Sequence, residues 1–150
     1  MRILIQRVRR AQVGIGGRVR SSIGPGLLVL VGIGPDDGED DVRYLCEKLA
    51  KLRIFDDEAG VMNRSVVDAG AMCWLSVSSH CMPRRARATV PLTSGGRARG
   101  GRAALRAFRR RDGELLGRPV RTGVFGADMQ VELVNDGPVT IWIDSKQKEY

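Results

Sequence analysis

Chemistry in this chain could reside in Asn135-Asp136-Gly137-Pro138, a turn set between the strand-like runs Met129–Val134 and Val139–Asp144. Proline has no N–H to give a sheet ladder, so it does not belong in the middle of a strand. Behind a glycine it makes a turn that accepts unusual dihedrals, with an X-Pro bond open to the cis form. Such a turn presents bare main-chain carbonyls, fixed acceptors with no side chain in front of them. An ordinary hairpin turn is written the same way. A different chemistry is offered by Ser76, Ser78, Ser79, His80 and Cys81, which place the sole histidine beside candidate nucleophiles. Adjacent residues on a strand point to opposite faces, so His80 and Cys81 do not easily form a pair there.

The elements around these residues follow from periodicity. Ile3–Val8 alternates as a half-buried strand, and Val13–Val19 can pair back on it through Gly16-Gly17. Gly24-Pro25-Gly26 turns the chain into the continuous apolar run Leu27–Ile33, a central strand. A helix is predicted from Glu39 to Lys51, with Val42, Leu45, Cys46, Leu49 and Ala50 on one face and acids in its first turn. Leu52–Phe55 and Ser65–Val67 read as short extended pieces, and a second helix is predicted over Ala103–Leu116, closed by Gly117 and Pro119. There is no internal repeat or linker. The expected fold class is α+β: a single domain over residues 1–150, with a mixed, mostly antiparallel, barrel-like sheet and two main helices.

Composition narrows the options. At 150 residues the chain can bury a real core, and 43% apolar content is ordinary for a globular protein. No apolar run approaches the roughly 20 residues that span a bilayer, and the start of the chain alternates too much for a signal peptide. The expected compartment is the cytoplasm, without membrane association. Three cysteines, Cys46, Cys73 and Cys81, lack the CxxC spacing of a zinc site and form no paired framework. The net charge of +8 suits a polyanionic partner such as RNA. That charge is localised: no Asp or Glu occurs from Ala69 to Arg111, where arginines accumulate.

Gly126-Ala127-Asp128-Met129-Gln130-Val131, followed by the pattern Asn135, Gly137, Pro138, Thr140, resembles the C-terminal third of the D-aminoacyl-tRNA deacylase (D-Tyr-tRNA deacylase) family. The opening strand with Gln6-Arg7-Val8, the run Ile23–Ile33 and the segment Leu52–Gly70 are similar to that family in the same order. The resemblance implies the family's fold and hydrolysis of the ester joining a D-amino acid, or glycine mischarged on tRNA(Ala), to the terminal ribose of tRNA. It implies a homodimer in which the Gly137-Pro138 turn, in cis, enters the partner's pocket. Carbonyls fixed there would hold the substrate's α-ammonium, and an L side chain would collide with the turn. Substrate contacts are expected at Gly137, Pro138, Asn135, Thr140 and Met129, with Asn135 and Thr140 bracing the turn and Met129 beneath the pocket. Arg7 is expected to hold the partner's turn. The partners implied are the aminoacylated 3′ end of tRNA and a second copy of the chain, with no DNA, metal or cofactor.

Residues 72–102 depart from this pattern. The family's Ser-Gln-Phe-Thr-Leu motif, expected near Val77 and Ser78 as the source of oxyanion-binding amides, is not present as written. Reading from the third base of each codon restores it. Met72 into Cys73 is forced to valine, Cys73 into Trp74 and His80 into Cys81 to leucine, and Met82 into Pro83 to alanine. The codons between allow Ala-Val-Ser-Gln-Phe-Thr. The expectation is a pair of compensating frame errors, the first near Ala71 and the second between Gly96 and Phe108. The competing readings are a noncatalytic basic RNA-binding protein on the same scaffold, an inactive frameshifted copy, and a hydrolase that depends on His80.

Overall fold

The computed structural model describes residues 1–77 and 95–148; the side chains of residue 77 and of residues 95–100 are not described. Its elements are β1 (Arg2–Ile15), β2 (Arg18–Ile23), β3 (Gly26–Gly32), α1 (Glu39–Lys51), β4 (Arg53–Asp56), β5 (Met62–Ser65), β6 (Met72–Val77), α2 (Gly95–Leu116), β7 (Arg121–Thr122) and β8 (Gln130–Asp144). The fold is α+β, with two helices and a nearly closed mixed sheet in order β2-β1-β3-β6-β7, to which β8 adds on the far side of β1. Pairings of β1 with β2, β3 and β8 are antiparallel, whereas β3–β6 and β6–β7 are parallel.

Strand β1 organises the sheet. Its first half alternates, burying Ile3 and Ile5, and its second half buries Ala11 and Val13. The strand runs on to Ile15 and turns at Gly16-Gly17 into β2, so the expected second strand starts later than Val13. β3 is buried almost throughout, as a strand with neighbours on both edges and covered faces must be. At its start Gly26 lies so close to the Met72 carbonyl that a Cβ would overlap it, which lets β6 enter beside β3 in parallel.

Helix α1 matches its predicted limits. Asp41 accepts the Gly38 N–H at 2.8 Å, satisfying one of the free amides of the first turn. Its apolar face and that of α2 close the larger core cluster around Leu45, Leu49, Phe108 and Leu116 against Ile3, Val29 and Leu75. On the opposite face of the sheet Val8, Val13, Leu28 and Trp74 make a smaller cluster with Met129 and Leu133 packed on it. Helix α2 begins at Gly95, earlier than the predicted Ala103, because glycine and arginine broke the apolar periodicity that marks a helix start. The extended piece expected at Ser65–Val67 lies at Met62–Ser65, paired with β4. Among the described residues no helix is long and apolar enough to cross a membrane.

Candidate active site

The Gly-Pro sequence does not join two hairpin strands. Both flanking runs belong to one strand, β8, and pair with the same neighbour in the same direction. Asn135 stands opposite Val8 and Thr140 opposite Gln6, so Asp136, Gly137, Pro138 and Val139 bulge out across Arg7 alone. An extra length of chain against a continuous partner must leave the ladder. Sequence patterning gave two strands and a turn because a bulge and a turn use the same residues.

The bulge is fixed by side chains reaching in from both sides. Arg7, only 6% exposed, donates from Nε to the Asp136 carbonyl at 3.1 Å and from Nη1 to the Ile54 carbonyl at 2.6 Å. Nη1 also reaches Asp56 Oδ1 at 3.2 Å. Outside this, Arg9 donates to Asp136 Oδ1 at 2.9 Å. Asn135 brackets the far limb: Oδ1 accepts the Val139 N–H at 2.9 Å, and Nδ2 donates to the Val139 carbonyl at 3.3 Å and to Thr140 Oγ1 at 3.2 Å. Thr140 Oγ1 also accepts from Gln6 Nε2 at 3.4 Å. Arg7 therefore braces its own chain's bulge.

At the apex the Gly137–Pro138 peptide is cis and Gly137 has φ +126°. That backbone region suits glycine, and a Cβ there would meet Val139 Cγ2 at 2.7 Å and Arg7 Nη2 at 3.3 Å. Gly137 and Pro138 are exposed and have no ladder partner in β1. No side-chain hydrogen bond reaches their carbonyls among the described residues. The arrangement is an exposed stretch of main chain braced on both sides.

Met129 is elsewhere. Its Sδ accepts the Val124 N–H at 3.4 Å, and it crowds Gly123, which also faces Trp74. Following the pairings along β1, Met129 precedes the partner of Gly14, whereas Asn135 pairs with Val8, a separation of about 20 Å. Across the sheet β1 and β3 lie between β8 and β6, a spacing of about 14 Å. Asn135, Gly137, Pro138, Thr140 and Arg7 are thus brought together, while Met129 packs apart from them beside Gly123 and Trp74. Ser76 is buried and Val77 ends β6. Ser78, Ser79, His80 and Cys81, and with them most of the expected oxyanion segment, lie outside the described residues.

Buried titratable groups elsewhere do not add a second reactive centre. Burial pushes the thiols of Cys46 and Cys73 well above their usual range, which makes them poor nucleophiles. Asp112, fully buried on α2, is pushed up to about 6 by desolvation. The nearby Cys73 thiol opposes this in part, yet both carboxylate oxygens lack a geometrically sound hydrogen bond among the described residues. Among the described residues no three His, Cys, Asp or Glu side chains are placed to hold a metal.

The sequence model of the family described as D-Tyr-tRNA(Tyr) deacylase matches residues 4–144. The chain belongs to that family. A D-aminoacyl-tRNA deacylase of Chromobacterium violaceum is 49% identical over 99% of this chain and 100% of its own length. One from Parabacteroides distasonis is 47% identical with the same coverage. Among solved structures, a c-Myc DNA unwinding element binding protein superimposes with TM-score 0.78 at 33% identity, over 96% of this chain and 98% of its own. A probable eukaryotic D-amino acid tRNA deacylase shares the fold, with TM-score 0.73 at 14% identity over 95% and 97%.

Proposed function

We propose that this protein hydrolyses the ester between a D-amino acid and the terminal ribose of tRNA, and clears glycine from tRNA(Ala) by the same route. The observation that carries the reading is the exposed Gly137-Pro138 bulge, braced by Arg7 at Asp136 and by Asn135 at Val139. Two fixed acceptors bind an α-ammonium well and leave one direction for the side chain. A D side chain, or none, takes that direction; an L side chain meets the backbone of the bulge. Discrimination of this kind ignores side-chain identity, so many D-amino acids serve as substrates.

The bulge lies apart from Met129 and Gly123, and across β1 and β3 from β6. A single chain therefore does not unite the two halves of the expected pocket, which favours a homodimer with each bulge entering the partner's cleft. Among the described residues strand β8 pairs only with β1, and Val131, Val134 and Trp142 are exposed on it, which supports contact with another copy. In this reading Gly137 and Pro138 bind the ammonium, Asn135 and Thr140 brace them, and Met129 packs beneath the partner-completed pocket. The ester is already activated. Backbone amides near Val77 and Ser78 stabilise the oxyanion, and the tRNA 2′-hydroxyl assists attack by water. No cofactor is required, and the site of action is the cytoplasm, where charged tRNA is used.

Deacylation of D-tyrosyl-tRNA, compared with the L form, tests the activity. Mixing tests the shared pocket: Gly137→Val chains and Ser78→Pro chains, each inactive alone, should regain activity as mixed dimers. Failure of mixed dimers to recover, with both variants folded, would remove the cross-subunit arrangement.

One observation favours a second reading, an inactive copy altered by a frame error. Trp74 is 2% exposed and its indole N–H has no partner among the described residues. The shifted frame places leucine followed by alanine in the strand instead of this bulky donor. Sequencing the DNA that encodes residues 72–102, with D-tyrosyl-tRNA assays of this chain and a frame-corrected one, separates the two. Comparable activity in both chains would dismiss any need for the missing motif.

A further inference from the structure

We infer that the groove between α2 and the start of β7 is a docking surface for the sugar-phosphate backbone of the RNA, away from the reacting end. The inference rests on the proposed tRNA substrate and assigns it a second contact. The groove is lined by Arg106, Arg109, Arg110 and Arg118, with Glu114 as its one carboxylate and Gly113 among them. Glu114 lies at 4.0 Å from Arg111, which is not a lining residue. Arg106 and Arg110 are exposed and make no ion pair or hydrogen bond among the described residues.

Two features distinguish this groove from a merely solvated basic face. Arg109 donates Nε to the Val120 carbonyl at 3.3 Å, and Arg118 donates to the carbonyls of Leu116 and Gly70. Their guanidiniums are held before any ligand arrives, which lowers the entropy lost on binding. Gly113 sits inside the helix, where glycine is less stable than alanine by about 1 kcal/mol. Packing does not demand it, since the nearest atom to a Cβ there is the Arg118 carbonyl oxygen at 3.5 Å. Leaving that position bare lets a ligand approach the helix backbone between the arginines.

Phosphate is the ligand that fits. Guanidinium groups bind it through paired N–H donors, and several around one groove suit a repeating anion. Placement agrees. Arg121 of β7 is level with Trp74 of β6, so the groove at Val120 lies about 13 Å along the strands from Val77, where β6 ends. A polynucleotide whose 3′ end occupies the cleft reaches that far.

The test measures binding of uncharged tRNA against salt, beside deacylation of a D-aminoacyl ester of adenosine, which lacks the polynucleotide. Arg106→Ala/Arg110→Ala should weaken tRNA binding about ten-fold at low salt and lower the salt slope by about 1 to 2. It should leave the adenosine-ester rate within two-fold. Arg10→Ala/Arg20→Ala removes equal charge from exposed positions on β1 and β2 and should change tRNA affinity less than two-fold. Equal weakening by both pairs would reduce the groove to net charge and overturn the inference, and so would loss of adenosine-ester hydrolysis in the α2 variant. Groove-dependent tRNA binding without any ester hydrolysis would uphold the groove while refuting the deacylase reading. Hydrolysis of D-aminoacyl-tRNA indifferent to the groove would do the reverse.

Discussion

Arg7→Ala tests the link between the fold and the filter. The side chain is 7% exposed and donates to the carbonyls of Asp136 and Ile54, with Asp56 beside it. A hydrogen bond from a charged donor contributes about 1.5–3 kcal/mol net. Two such bonds are lost, along with the packing of the arginine stem. Against this, a guanidinium no longer has to be desolvated, and Asp136 and Asp56, 30% and 50% exposed, can turn to water. The balance is a loss of about 2–3 kcal/mol, which lowers Tm by about 4–12 °C in a domain of this size. Activity should fall further than stability. A bulge displaced by about 1 Å misplaces its acceptors, and such errors reduce kcat/KM about 100-fold. Arg7→Lys keeps the charge but cannot serve both carbonyls at once, so it should recover part of the stability and little of the rate. Thermal melting and single-turnover deacylation of D-tyrosyl-tRNA, read per folded molecule, check both. A Tm within a degree of the parent, or full activity in folded Arg7→Ala, would show that the bulge does not depend on this brace.

Gly137→Ala places a Cβ 2.7 Å from Val139 Cγ2 at φ +126°. It should destabilise by about 1–3 kcal/mol and reduce D-specific deacylation at least ten-fold, measured by denaturation and initial rates. Asn135→Ala leaves the Val139 N–H unsatisfied and should lower stability by about 1–2 kcal/mol; Asn135→Asp, which keeps that acceptor, should lose less in the same urea titration. Asp112 titrates near 6 when folded, against about 3.9 unfolded, so the native state binds the extra proton. Its contribution is therefore intact below pH 4 and is lost as pH rises to about 6. The difference in unfolding free energy between Asp112→Asn and the parent should grow across that window to about 2–3 kcal/mol in favour of the variant. A pH-independent difference would disprove the raised carboxyl.

Much of this architecture was legible in the residues. Helix α1 follows its apolar spacing, and β3 follows its unbroken apolar run, because periodicity and burial agree there. The Gly137-Pro138 site was found from chemistry that only a departure from the ladder allows. What patterning could not give was that β8 continues past it, since pairing to β1 is decided by residues more than a hundred positions away. For the same reason the bonds of Arg7 to Asp136 and Ile54 of its own chain are not visible in the sequence. The α2 groove was visible only as an excess of arginine. Which guanidiniums converge, and which are anchored, depends on the path of Val120 beside the helix.

Strand β1 pairs with β2, β3 and β8 and also carries the arginine that pins the bulge. Its amides should exchange with deuterium only when the whole sheet opens. Warming the protein therefore offers no intermediate state in which the sheet persists and the Gly137-Pro138 segment wanders. Fidelity and foldedness would fail together, so heat should yield fewer working molecules rather than careless ones.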